Sequence, residues 1–170
     1  MPHSEEISAR LFRPEQWFGG LIAVLVCSAN VDQPLTNVAA VINFDTNNVG
    51  PFGHISRSGP DITIGVNGFY AFSMQPQLLQ NAAANITTFW ALKNGVVVPG
   101  SAYRYSSTGN NDTLVQPWSV TANLARGDVI RFMAQTSAVN GSTLDFTAAG
   151  GAIPSSPACV LDIRGFGPRA

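Results

Sequence analysis

Gly68-Phe69-Tyr70-Ala71-Phe72-Ser73-Met74-Gln75 is the stretch on which the reading of this chain turns. Tyr70, Phe72 and Met74 alternate with Ala71, Ser73 and Gln75, a period of two that puts large apolar groups on one face of a strand and small or polar ones on the other. The same alternation returns in Ile130-Arg131-Phe132-Met133-Ala134-Gln135. Around these runs lie short segments bounded by Gly, Pro, Asn and Asp, at roughly the 8 to 12 residue spacing of a sandwich or barrel. They predict strands over 38–44, 53–58, 61–64, 68–79, 85–98, 102–107, 113–124, 128–136, 143–147 and 158–166, with no long helix between them. Asn94-Gly95, between FWALK and VVVPG, predicts a hairpin, because a type I′ turn needs positive φ at both central residues. Asn140-Gly141 and Gly109-Asn110-Asn111-Asp112 predict two further turns.

The beginning of the chain reads differently. Residues 5–12 predict about two helical turns, with Ile7 and Leu11 on one face and Pro14 as the stop. Trp17 and Phe18 precede a Gly19-Gly20 pair, and the apolar run LIAVLVC at 21–27 predicts a strand covered on both faces. The chain therefore divides into an amino-terminal arm, 1–37, and one all-β domain, 38–170. An arm carrying Trp17 and Phe18 packs on its own domain or inserts into a neighbour.

Composition narrows the function. The 170 residues include only 11% charged ones, against about 25% in ordinary soluble domains. Ser, Thr and Asn fill 38 positions instead, so the surface is largely neutral and polar. A net charge of -1 and a single lysine, Lys93, give no electrostatic footprint for nucleic acid or for an anionic membrane. Hydrophobic content of 45% with ten Phe and three Trp can offset chain entropy, which excludes disorder. The longest apolar run, 21–27, is far shorter than the ~20 residues that span a bilayer. The first residues lack the basic and apolar regions of a secretory signal. Cys27 and Cys159 show no CxxC spacing, so they read as buried thiols rather than a zinc or disulfide framework.

Several motifs suggest chemistry and have plainer explanations. Arg126-Gly127-Asp128 spells an integrin tripeptide, yet it also fits a tight turn before a strand. Asn85-Ile86-Thr87, Asn111-Asp112-Thr113 and Asn140-Gly141-Ser142 match the glycosylation acceptor, and outside a glycosylating compartment they are ordinary turn and strand residues. Asp45-Thr46-Asn47-Asn48-Val49-Gly50 begins like a calcium loop, but Val49 stands at its fifth position and Ser56 at its twelfth, so a surface turn is expected. Asn110 and Asp112 share that ambiguity. His54, beside Ser56, and His3 are the only imidazoles; no G-x-S-x-G elbow, paired carboxylates or phosphate-cradling glycine loop accompanies them. The chain is thus expected to have no catalytic residues, no metal and no cofactor.

The Gly68-Phe69-Tyr70-Ala71-Phe72 strand, the Lys93-Asn94-Gly95 hairpin, the run from Leu124 through Gly127-Asp128 to Phe132 and a closing strand from Cys159 to Phe166 together resemble the globular head of the complement and tumour-necrosis-factor superfamily. The resemblance covers roughly 38–167 and implies an antiparallel jelly-roll β-sandwich with an extended amino-terminal arm that assembles as a homotrimer. The absence of a collagen-like stalk, the long segment 136–157 and the arm set this chain apart. In these features and in length it is similar to the head decoration, or cement, proteins of tailed bacteriophages. That resemblance implies a virion structural protein on the outer surface of the capsid, whose partners are itself and the major capsid protein. Arg10, Arg13, Trp17 and Phe18 are the capsid-docking candidates, since Trp and Arg dominate interfaces. The burial load agrees, because the aromatic and aliphatic residues exceed what one thin sandwich hides. The alternative is the receptor- or carbohydrate-binding head of a phage tail fibre or spike, with Trp118, Tyr103 and Tyr105 as a sugar platform. With some 37 residues ahead of the domain, no shaft is expected.

Overall fold

The structure is a computed structural model that describes residues 20–150 and 154–167. Its strands, in chain order, are β1 (Leu21–Ala29), β2 (Gln33–Leu35), β3 (Ala40–Val41), β4 (Thr46–Gly53), β5 (Ile55–Ser58), β6 (Asp61–Ile64), β7 (Gly68–Gln80), β8 (Ile86–Lys93), β9 (Val96–Val97), β10 (Tyr103–Ser106), β11 (Thr113–Val115), β12 (Trp118–Leu124), β13 (Val129–Thr136), β14 (Ser142–Leu144) and β15 (Cys159–Phe166). The described residues contain no helix.

Every pairing among these strands is antiparallel, and they form two sheets. In the larger, β7 is the spine: β15, β1 and β4 follow on one side, and β12 lies on the other. Towards its carboxyl end β7 changes neighbours, to β11 on one side and β14 on the other, with β2 beyond β14. Pro76 explains the change. Its carbonyl accepts from Gln116 N–H at 3.0 Å, so its donorless nitrogen faces the gap that Gln116-Pro117 opens between β11 and β12. A proline inside a spine strand is tolerated where the ladder is already broken. The smaller sheet runs β10-β8-β13-β6-β5, with β3 on β13 and β9 on β8.

Alternation decides what lies between the sheets. From β7, Tyr70, Phe72, Met74 and Leu78 point inward and are buried, while Ser73 and Gln75 are exposed. Leu25 and Cys27 of β1, Leu161 and Ile163 of β15, and Phe89, Ile130 and Phe132 of the smaller sheet complete the core. Phe132 is its hub. Its ring meets Phe72 and Trp118 of the larger sheet edge-on at 5.7 Å each, and Phe44 of the β3–β4 connection at 6.3 Å. Gly165 makes room for this core, because a Cβ there would lie 2.5 Å from the Tyr70 ring across the β15–β7 pair.

The hairpin forms as the Asn-Gly pair requires, with φ of 52° at Asn94 and 81° at Gly95. It is also locked to the turn before β13. Asn94 Nδ2 donates to Asp128 Oδ1 at 2.7 Å, Val129 N–H donates to Asn94 Oδ1 at 2.8 Å, and Lys93 Nζ pairs with Asp128 Oδ2 at 2.8 Å. Ala125 N–H donates to the same carboxylate at 2.8 Å. Burial opposes ionisation of Asp128, but these donors outweigh it and hold the carboxyl below the ordinary carboxylate value.

Four expectations are corrected. The stretch from Asp45 to Gly50, read as a surface turn, enters β4 at Thr46, because its backbone pairs with β1 (Cys27 with Asn47, Val26 with Val49) despite a polar composition. The segment 113–124 is two strands, and 38–44 supplies only the two-residue β3. Residues 21–35, assigned to the arm, lie within the sandwich: β1 sits between β15 and β4, so the β domain starts well before residue 38. The long segment 136–157 contributes β14 and a bridge between Thr147 and Ser156.

Two outcomes follow from this packing. Phe132→Ala should lower unfolding free energy by about 3–5 kcal/mol in urea denaturation, since it empties the point where four rings meet. Asp128→Ala should cost about 2 kcal/mol at pH 7. Because the folded carboxyl is depressed, its contribution is complete above the unfolded value near 3.8 and is lost as pH falls through the lower folded value. Denaturation from pH 7 down to pH 2 should therefore show wild type and variant converging in acid.

Candidate functional site

Up to Cys27, β1 is buried on one face only. Ala23, Leu25 and Cys27 face the core, while Val24 and Val26 on the opposite face are half-buried, in place of the cover expected on both sides; Ile22, at the bulge between Leu21 and Ala23, packs against the core instead. Register extends this face across the larger sheet. Phe166 stands beside Leu21 of β1 and opposite Phe69 of β7; Val24 lies beside Arg164 and Ala71; Val26 lies beside Asp162 and Ser73. On the far side of β1, Val49 of β4 pairs with Val26. Leu21 and Val49 remain 48% and 47% exposed. The face is therefore an aliphatic and aromatic band along β1 and the ends of β15 and β7. One ion pair sits within it, Arg164 to Asp162 at 2.9 Å.

A strand whose outward residues include Val24 and Val26, flanked by Leu21, Val49 and Phe166, does not suit open water, and an apolar band of this kind marks a contact surface. The outward face of the smaller sheet is more mixed. Trp90 and Met133 are opposed there, but Thr88 and Gln135 and the Arg131–Asp61 ion pair surround them. A groove of about 370 Å³ between β7, β12 and β15 opens on the first face, with Ser73, Thr121 and Arg164 in its lining.

The other candidate residues are placed as follows. Arg10, Arg13, Trp17 and Phe18 lie outside the described residues, as does the helical stretch read at 5–12. Trp118, offered as part of a sugar platform, is 7% exposed and packs edge-on against Phe132. Tyr103 and Tyr105 are half-buried against the core, and Tyr103 Oη donates to Gln116 Oε1 at 3.3 Å. Inward alternation along β12 put the indole in the core. In the Arg126-Gly127-Asp128 turn the Asp128 carboxylate is consumed by Lys93, Asn94 and Ala125. Asp45 takes Asn30 N–H at 2.9 Å and Thr46 Oγ1 at 2.8 Å. Among the described residues no three His, Cys, Asp or Glu side chains gather as metal ligands.

Of the glycosylation matches, Asn85 is buried: its Nδ2 donates to Ser142 Oγ at 2.7 Å and to Gln80 Oε1 at 3.2 Å. Asn111 and Asn140 are exposed, with φ of 63° and 53°. His54 is exposed and makes no side-chain hydrogen bond among the described residues. Cys27 and Cys159 are free and buried, and desolvation pushes the Cys27 thiol up to about 12 despite the nearby Arg57 cation. The β1 face was hidden from the sequence, because a uniform apolar run does not say which alternate residues the fold covers.

Val26→Asp places a second carboxylate opposite Asp162 in the middle of this face. The variant should keep its β far-UV circular dichroism and sediment as a monomer, while Trp90→Ser on the other sheet should leave the wild-type mass unchanged.

No protein-family model matches the sequence, and no curated protein is similar to it in sequence. Solved structures are similar in fold. The crystal structure of murine APRIL at pH 8.5 superposes with a TM-score of 0.51 at 11% identity, covering 84% of this chain and 98% of that one. Murine APRIL at pH 5.0 gives 0.51 at 12% identity with the same coverage. With its two antiparallel sheets and this superposition, the chain has a tumour-necrosis-factor-like jelly-roll fold.

Proposed function

We propose that the protein is a structural, non-catalytic virion component, a homotrimer that decorates the outer surface of a bacteriophage capsid. The observation that carries the trimer is the apolar band of Leu21, Val24, Val26, Val49 and Phe166 on the outward face of the larger sheet. Jelly rolls of this kind associate in threes, and a three-fold axis beside this face gives each copy's band a neighbour to cover it. Each Val, Leu or Phe side chain fully withdrawn from water contributes about 1.5–3 kcal/mol, so a band of five such groups per protomer supplies a substantial part of a stable interface. The sparse charge of the chain favours the same reading, because neutral polar surfaces pack side by side on a lattice without long-range repulsion.

Capsid attachment is assigned to the arm, with Arg10, Arg13, Trp17 and Phe18 as its contacts and the major capsid protein as its partner. β1 starts at Leu21, beside Phe166 on the proposed trimer face. The alternative reading, a sugar-binding head, loses its central group because Trp118 packs in the core. Removal of residues 1–18 should abolish binding to undecorated phage heads in a co-sedimentation assay and leave the trimeric mass unchanged. Full occupancy by the truncated protein would reject the arm as the anchor, and a monomeric wild type in light scattering would reject the trimer.

A further inference from the structure

The Lys and Arg side chains of the described residues are Arg57, Lys93, Arg104, Arg126, Arg131 and Arg164. Lys93, Arg131 and Arg164 each pair with an aspartate. Arg57 donates to the Phe44 and Gly59 carbonyls and to Asn47. Arg104 and Arg126 have no side-chain hydrogen bond or ion pair among the described residues, and neither has His54. Arg126 and His54 line the same cavity, of about 630 Å³, together with Ile22, Gly65, Val66, Asn67 and Gly167, and among the described residues no acidic side chain lines it.

The backbone fixes both basic groups. Gly65 N–H donates to the His54 carbonyl at 2.7 Å, and a Cβ at Gly65 would stand 2.9 Å from that oxygen, so the two segments touch. On the other wall, Arg126 N–H donates to Asn67 Oδ1 at 2.8 Å, and Gly127 N–H donates to the Ile64 carbonyl at 2.7 Å. The Asn67 carbonyl oxygen accepts that bond, and its amide nitrogen is a third donor at the cavity. Guanidinium and carboxamide nitrogens, with the imidazole beside them, give the cavity side-chain donors and, among the described residues, no carboxylate. A guanidinium binds a carboxylate through two parallel bonds, about twice as strong as neutral ones. The cavity is much larger than an inorganic ion, and Ile22 and Val66 give it apolar wall.

We infer that this cavity is a binding site for a carboxylate carried on an aliphatic stem, such as an acidic side chain of a partner peptide, held by Arg126, His54 and Asn67 with its stem against Ile22 and Val66. The site is independent of the trimer face and of the capsid assignment.

The test is a titration of the purified full-length protein with N-acetylglutamate, followed through the His54 ring resonances in NMR spectra, which are assigned by their absence in His54→Gln. N-acetylglutamine, the uncharged isostere, and inorganic phosphate are the controls. Saturable shifts with N-acetylglutamate, none with the glutamine compound, and affinity reduced roughly tenfold in Arg126→Ala with an unchanged thermal midpoint are expected. Equal response to the amide, undiminished binding in Arg126→Ala, or phosphate binding as tightly as the carboxylate would overturn the proposal. The amide and phosphate controls use the wild-type chain, so the test does not depend on a variant folding.

Discussion

The sandwich is held closed at Phe132. Across the space between the two sheets a Thr87–Ser142 hydroxyl contact at 2.9 Å links β8 to β14 at one end, and elsewhere the association of the sheets rests on the side chains that fill that space. Phe132 comes from the centre of the smaller sheet, and the rings it meets belong to two strands of the larger one and to the connection that joins the layers. Edge-to-face contacts add about 0.5–1.5 kcal/mol per pair beyond burial and also fix direction. With Phe132 in place, Trp118 and Phe72 must face inward, and through them β12 and β7 receive their register relative to the smaller sheet. That one constraint also sets the outward face, because the residues alternating with these rings are left outside.

A second lock keeps the ends of the layers in step. Asn94 in one turn and Asp128 in another lie 34 residues apart in sequence, and each satisfies the other's polar groups. The hairpin needs Asn94 for its positive φ, and the same side chain then reaches across to Asp128 and to Val129. A residue chosen for a local turn thus also carries a long-range contact. The Arg126-Gly127-Asp128 turn is explained by this coupling: Gly127 bonds to Ile64, Asp128 closes on Lys93 and Asn94, and only the Arg126 side chain is free to face the adjoining cavity.

The outward face of β1 follows from the same alternation. Once Leu25 and Cys27 point into the core, Val24 and Val26 are left half-buried on the outer face. The uniformly apolar run is thus satisfied by the sandwich on one side and, in the proposed assembly, by a neighbouring copy on the other. Its sequence already called for cover on both faces; the fold shows which side its own domain leaves open.

The amino acids by themselves determined the strand class, the Asn94-Gly95 hairpin and the pairing of faces along β7 and β13, because side-chain alternation and positive-φ turns are local properties. They also predicted the buried state of both cysteines. Tertiary structure decided the rest. Thr46–Gly53 has no alternation and becomes a strand only because β1 offers it an edge. Trp118 could face a ligand or the core with equal local merit, and Phe132 settles the choice. Arg126 and His54 are separated by 72 positions and meet at one cavity only when the turn before β13 folds over the end of β6. A period of two tells which residues share a face; only the partner strands and the opposing sheet determine which of the two faces is closed to water.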